Sequence, residues 1–205
     1  GDIPHSIFNL SPSFETYETG INYLNLSDNQ LSGEFSEIGN LISLEYLNLS
    51  HNQLTGSIPS GIGNIIPGIF EGNGMAYEGL IHLDLSYNDI FGSIPPEIGN
   101  LSNLTYLDLQ HNILTGSIPI EIGNVIDLSH LDLSWNEINN SIPEEIGNLV
   151  SLEWLRLSSN NLTGQIPESI GDLKNLIYLY LYKNELSGEL PIEMFNLVSL
   201  NTLEL

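Results

Sequence analysis

Apolar residues recur along this chain in one frame, L-x-x-L-x-L-x-x-N. The frames open at Ile21, Leu44, Leu80, Leu104, Leu128, Leu152, Leu176 and Leu200, and the last runs out at Leu205. Inside each frame apolar and polar residues alternate for a few positions, which predicts a short strand with one buried and one outward face. An asparagine closes seven of them: Asn29, Asn52, Asn88, Asn112, Asn136, Asn160 and Asn184, the last five spaced 24 residues apart. Most frames then continue into close variants of L-x-G-x-I-P-x-x-I-G-N, where Gly and Pro recur too often for regular helix. Strand, turn and irregular arm repeated at this period predict an α/β-type solenoid whose units bury their apolar faces on one another. Stacked at ~4.8 Å, about eight strands make a parallel sheet roughly 35 Å long.

Each position in the unit has a physical role. In the unit that opens at Leu104, Leu104, Leu107, Leu109, Leu114, Ile118 and Ile122 fill the interior. Asn112 falls at the turn, where a buried carboxamide needs partners for its donors and its acceptor. The seven asparagines are therefore expected to form a ladder that ties each coil to the next. Gly116 permits backbone closed to other residues, and Pro119 fixes φ after an extended stretch. Asn140 stands where the repeat has this Gly, and asparagine also tolerates the left-handed conformation.

The run Leu114-Thr115-Gly116-Ser117-Ile118-Pro119-Ile120-Glu121-Ile122-Gly123-Asn124 resembles the plant-type leucine-rich repeats of receptor kinases and polygalacturonase inhibitors. The resemblance covers nearly the whole chain. It implies a right-handed superhelix with a concave parallel sheet, a second short sheet from the L-x-G-x-I-P arms, and a 3-10 or irregular convex side. It also implies an extracellular, non-enzymatic binding role, at the cell surface or secreted, with protein, peptide or glycan ligands. Two features depart from the family: the cysteine pairs of its end caps are missing, and no kinase or membrane segment follows. Near-verbatim repeats without cysteine also resemble plant-type repeats in bacterial or protist surface proteins.

The repeat breaks in two places. Asn52 and Asn88 are 36 apart, and the excess lies between Ile65 and Leu80, at about 66–79; a smaller excess, at about 11–20, precedes Ile21. Both enter just before a strand, two coils apart, and so are expected to leave the same edge of the sheet, either as ligand contacts or as loops packed down through Ile69, Phe70, Met75 and Tyr77. Gly1-Asp2-Ile3-Pro4 aligns with Gly116-Ser117-Ile118-Pro119, so residues 1–205 read as one domain cut from a longer array.

Candidate chemistry lies in the outward columns. One reads Tyr23, Tyr46, His82, Tyr106, His130, Trp154, Tyr178, a row of rings suited to a peptide or a sugar face, although duplication of the repeat text would also produce it. The next reads Asn25, Asn48, Asp84, Asp108, Asp132, Arg156, Tyr180. Its three carboxylates on adjacent strands are expected to raise at least one pKa or attract a cation. Asp84, Asp108 and Asp132 are thus weak candidates for a metal; no spacing matches a standard site, and no cofactor is expected. His51 and His111 lie near the other end of the strands, and Trp135 joins the rings and the three aspartates as a ligand-binding candidate on the concave face. Sequons such as Asn25-Leu26-Ser27 and Asn48-Leu49-Ser50 arise from the repeat text itself.

Charge narrows the partners. The chain has 26 acidic and 3 basic residues, and its cations are Arg156, Lys174 and Lys183. Such a field repels phosphate backbones and argues against nucleic acid and anionic membranes. With no cysteine there is no thiol chemistry, and no apolar run reaches the ~20 residues of a membrane helix. No nucleophile stands beside an orienting base, so catalysis is not expected. Binding on the concave face is the leading expectation. A structural, adhesive or surface-binding array (ice, mineral, calcium-linked) is a second, and inhibition of a secreted glycosidase a third; oligomeric state is left open.

Overall fold

The structure, a computed structural model, describes residues 1–10, 20–69 and 76–205. Eight short strands form one parallel sheet in chain order: Tyr23–Asn25, Tyr46–Asn48, His82–Asp84, Tyr106–Asp108, His130–Asp132, Trp154–Arg156, Tyr178–Tyr180 and Thr202–Glu204. Pairing is residue for residue, as in His82↔Tyr106↔His130↔Trp154, so every repeat position becomes a straight column. The middle leucines Leu47, Leu83, Leu107, Leu131, Leu155 and Leu179 are fully buried. The connecting arms carry single 3-10 turns, such as Pro96–Asn100, Ile120–Asn124 and Glu144–Asn148, and no α-helix occurs among the described residues. Among the described residues no helix is long and apolar enough to cross a membrane.

A five-residue turn opened by proline and closed by Gly-Asn is too short for α-helix, and packing selects its glycine. A Cβ on Gly123 would lie 2.5 Å from the Glu145 carbonyl oxygen of the next arm. In the Ile192–Asn196 arm, Phe195 takes this glycine's place and is 89 % exposed, with no described arm packed on it. The earlier glycine of the unit does a different job: Gly116 has φ +77°, and Asn140, its counterpart one coil later, keeps φ +64°. Here the short second sheets form, with Phe91–Ser93 pairing Ile113–Thr115, and Asn139–Asn140, Asn161–Gly164 and Glu185–Leu186 pairing in turn.

The asparagine ladder forms as expected. Asn136 Oδ1 accepts from Leu114 N (3.0 Å) in the preceding coil, and its Nδ2 donates to Leu109 O there and to Leu133 O and Ser134 O in its own. Asn52, Asn88, Asn112, Asn160 and Asn184 repeat the link to the coil before. Asn29 is exposed, and among the described residues its side chain bonds only within its own turn, Nδ2 donating to Leu26 O and Ser27 O.

The larger insertion is a hairpin in which Gly68–Ile69 pairs antiparallel with Ala76–Tyr77. Leu80 N donates to Ile65 O, and Asn103 Nδ2 to Glu78 O, which fasten its base to the solenoid. Ile69 is 68 % exposed and does not pack onto the coil as one reading expected, whereas Tyr77 is half-buried with its ring against Gly68. The expectations for Phe70, Met75 and the insertion at 11–19 lie outside the described residues.

Candidate ligand-binding face

Residues two apart on a strand share a face, so each coil from Tyr23 to His130 presents one ring, one Asn or Asp, and one Ser or Gln outward, as in Tyr106, Asp108 and Gln110, while Arg156 and Tyr180 hold the middle place in the next two coils. The first column is a continuous ring stack. Centroids are 4.3 Å apart for Tyr23–Tyr46, 4.2 Å for Tyr46–His82, 4.3 Å for His82–Tyr106 and 4.4 Å for Tyr106–His130, with the planes within 11° of parallel. Trp154 tilts by 35° from His130 and by 32° from Tyr178. This geometry corrects one expectation. Parallel strands at this spacing turn each ring face onto its neighbour, so Tyr46, His82 and Tyr106 have no free face for a sugar and offer their edges.

A second stack runs beside the first at the turn end of the strands. His51–Tyr87 and Tyr87–His111 stack at 4.2 and 4.3 Å, and His111–Trp135 at 5.0 Å. Lys183 Nζ sits 4.7 Å from the Trp135 ring centroid. All of these residues, with Asp28 and Ser159, have φ between 51° and 56°, a left-handed conformation uncommon for bulky side chains. Sequence reasoning singled out Trp135, His51 and His111 without joining them into a column. The signal was available, since each stands immediately before a ladder asparagine.

Between the stacks lies the Asn/Asp column. Asp84 Oδ1 accepts from Ser86 N (3.0 Å) and Ser86 Oγ (2.7 Å), and Asn48 does the same with Ser50. Asp108 is buried; its Oδ1 accepts from Gln110 N, and its Oδ2 from Gln110 Nε2 (2.9 Å) and Tyr106 Oη (3.3 Å). Burial pushes its carboxyl up to about 7; the nearby Asp132 and Asp84 add to this, and the bonds from Gln110 oppose it. Burial likewise raises the Tyr106 phenol, reinforced by Asp108. Asp132 is fully buried, bonded by Ser134 and ion-paired at 3.5 Å to Arg156, which also leans on Trp154 and Tyr180. Burial lowers the imidazoles of His82, His130 and His111, with the neighbouring aspartates pulling the other way.

Asp108, His130 and Asp132 bring ligand atoms within 4.8 Å of one another, so two of the three weak metal candidates are joined by a histidine. Asp84 is not in that group. The Arg156 guanidinium already supplies positive charge to Asp132, which opposes a divalent cation there.

Two family models account for most of this chain. Residues 20–41, 43–65, 79–101 and 103–125 match the Leucine Rich Repeat, and residues 119–205 match a leucine-rich repeat region. The chain belongs to the leucine-rich-repeat family. It is of the plant type. A crystal structure of a TDR receptor is 38 % identical with a TM-score of 0.82, over 90 % of this chain and 30 % of that one. The Arabidopsis receptor kinase HAESA, in complex with the peptide hormone IDA and the co-receptor SERK1, is also 38 % identical at 0.82, over 91 % and 29 %. This repeat chain thus spans about three-tenths of those receptor chains. A plant ice-binding protein matches at 23 % identity and a TM-score of 0.62, which shows the shared fold alone. No curated protein matches the sequence.

Proposed function

We propose that this leucine-rich-repeat chain is a non-enzymatic recognition module that binds an extended peptide or protein segment along its concave face, in a cell-surface or secreted setting. The observation that carries it is the pair of ring stacks enclosing a column of short polar side chains. Ring stacks are stiff, so a ligand seated between them orders few side chains on binding. Their edges supply apolar walls, while Asn48, Asp84 and Ser86 between them supply hydrogen-bonding groups at regular intervals. A segment laid across the strands would meet the same three features at each of the four coils that carry both stacks, from Tyr46 to His130. Similarity to HAESA, whose complex holds a peptide hormone, supports the reading.

The two tryptophans test it, because one stands in each stack. Peptides selected on the protein from a random display library should lose at least about tenfold in affinity to Trp154→Ala or Trp135→Ala, as expected for aromatic anchors. Binding that survives both substitutions unchanged, with the variants folded by circular dichroism, removes the concave face as the site.

A further inference from the structure

Resting on that reading, we infer that the segment this face receives is cationic, an extended peptide with a Lys or Arg side chain set against Asp84. The first reason is that the chain has no cation of its own to offer there. Its three cations are engaged elsewhere: Arg156 pairs with Asp132, Lys174 Nζ donates to Gly171 O, and Lys183 lies over Trp135. Asp84 and Asp108 are left as adjacent carboxylates in register on neighbouring strands.

The second reason is access. Asp108 is covered by Tyr106 and Gln110, but Asp84 is half-exposed. Its Oδ1 is held by Ser86, while its Oδ2 accepts no hydrogen bond among the described residues and is not among their buried, unpartnered atoms. The oxygen is therefore fixed in place and free to accept. The strand that carries it stacks His82 against Tyr106 at one end, and Tyr87 against His111 at the other. Those ring edges flank the methylene stem of a Lys or Arg whose head group rests on the carboxylate.

The third reason is the field. Residues 1–155 hold 20 carboxylates and no Lys or Arg, so a cationic segment is steered to this part of the solenoid. Asp108 adds a signature, because a nearby positive charge favours its ionised form. Binding should release a proton and strengthen as pH rises between about 6 and 8.

The test is a display selection of random short peptides on the intact chain, followed by affinity measurements at fixed ionic strength on wild type, Asp84→Asn and Glu144→Gln. Asn25 and Asn48 already stand in this column and accept from Ser27 N and Ser50 N, so the fold accepts Asp84→Asn. Glu144→Gln makes the same change in net charge on an exposed arm. The expected result is enrichment of Lys- or Arg-bearing peptides that weaken by about tenfold or more in Asp84→Asn and by less than about twofold in Glu144→Gln. Equal weakening in both variants means diffuse attraction and overturns the inference. Peptides that carry no cation, need Trp154 or Trp135 and ignore Asp84→Asn also overturn it, while leaving the recognition reading intact. A library yielding no peptide sensitive to either tryptophan removes the recognition reading and, with it, this one.

Discussion

At the scale of single residues, the concave face is governed by how deeply each polar group sits. Asp84, Asp108 and Asp132 share one column and one neighbour pattern, yet meet different fates. Asp84 reaches solvent, Asp132 has Arg156, and Asp108 has burial without a counter-ion. A carboxyl raised to about 7 in the folded state contributes stability that is full below its ordinary value and is lost as pH rises towards 7. Asp108→Asn removes that loss and keeps an oxygen for Gln110 N. Its melting temperature should match wild type near pH 4, exceed it increasingly up to about pH 8, and hold that gain beyond. The histidines act with the opposite sign. His82, His111 and His130 are lowered by burial, so their contribution is full above about 6.5 and declines as pH falls. Replacing His82 by Phe, which keeps the stack and removes the titration, should flatten the acid limb of a melting-temperature profile measured between about pH 4 and 7.

At the scale of one element, the repeat unit is held by a few positions whose cost of replacement depends on what the next coil places against them. Asn136→Ala would strip Leu114 N of its acceptor and three carbonyls of a donor, all in buried surroundings. About 3 kcal/mol of lost stability is expected by chemical denaturation. Asn29→Ala, which removes an exposed side chain bonded only to Leu26 O and Ser27 O of its own turn among the described residues, should cost under about 1 kcal/mol. Gly123→Ala would press a methyl group onto the Glu145 carbonyl and should cost about 1–3 kcal/mol. These elements were legible in the sequence because each role demands a residue type: leucine for the interior, asparagine for the ladder, glycine or Asn140 for the left-handed turn. The hairpin at Gly68–Ile69 and Ala76–Tyr77 was legible only as excess length. Insertions carry no repeat to compare, and Ile69, apolar yet exposed, shows why composition alone did not tell whether the loop would pack down.

At the scale of the whole molecule, register is the property from which the site follows. The sequence named the first ring column residue by residue, since a fixed frame puts Tyr106 beside His82 and His130. It did not reveal that the rings would close face to face, because side-chain rotation is set by the neighbour across the strand gap and not by the order of residues. Nor did it join His51, Tyr87, His111 and Trp135, whose alignment depends on a left-handed turn that residues of that size seldom adopt. Neighbour-to-neighbour stacking also makes the solenoid close to one-dimensional, so damage at one coil should spread mainly to the coils beside it. The ring columns carry one more consequence, an optical one. Tyr23, Tyr46 and Tyr106 are spaced only by imidazoles along a stack that ends on Trp154 and Tyr178, which places phenol chromophores in short steps from an indole. Light absorbed by the tyrosines should therefore emerge as tryptophan fluorescence while the coils hold their register, and loss of that transfer would report the first coil to open.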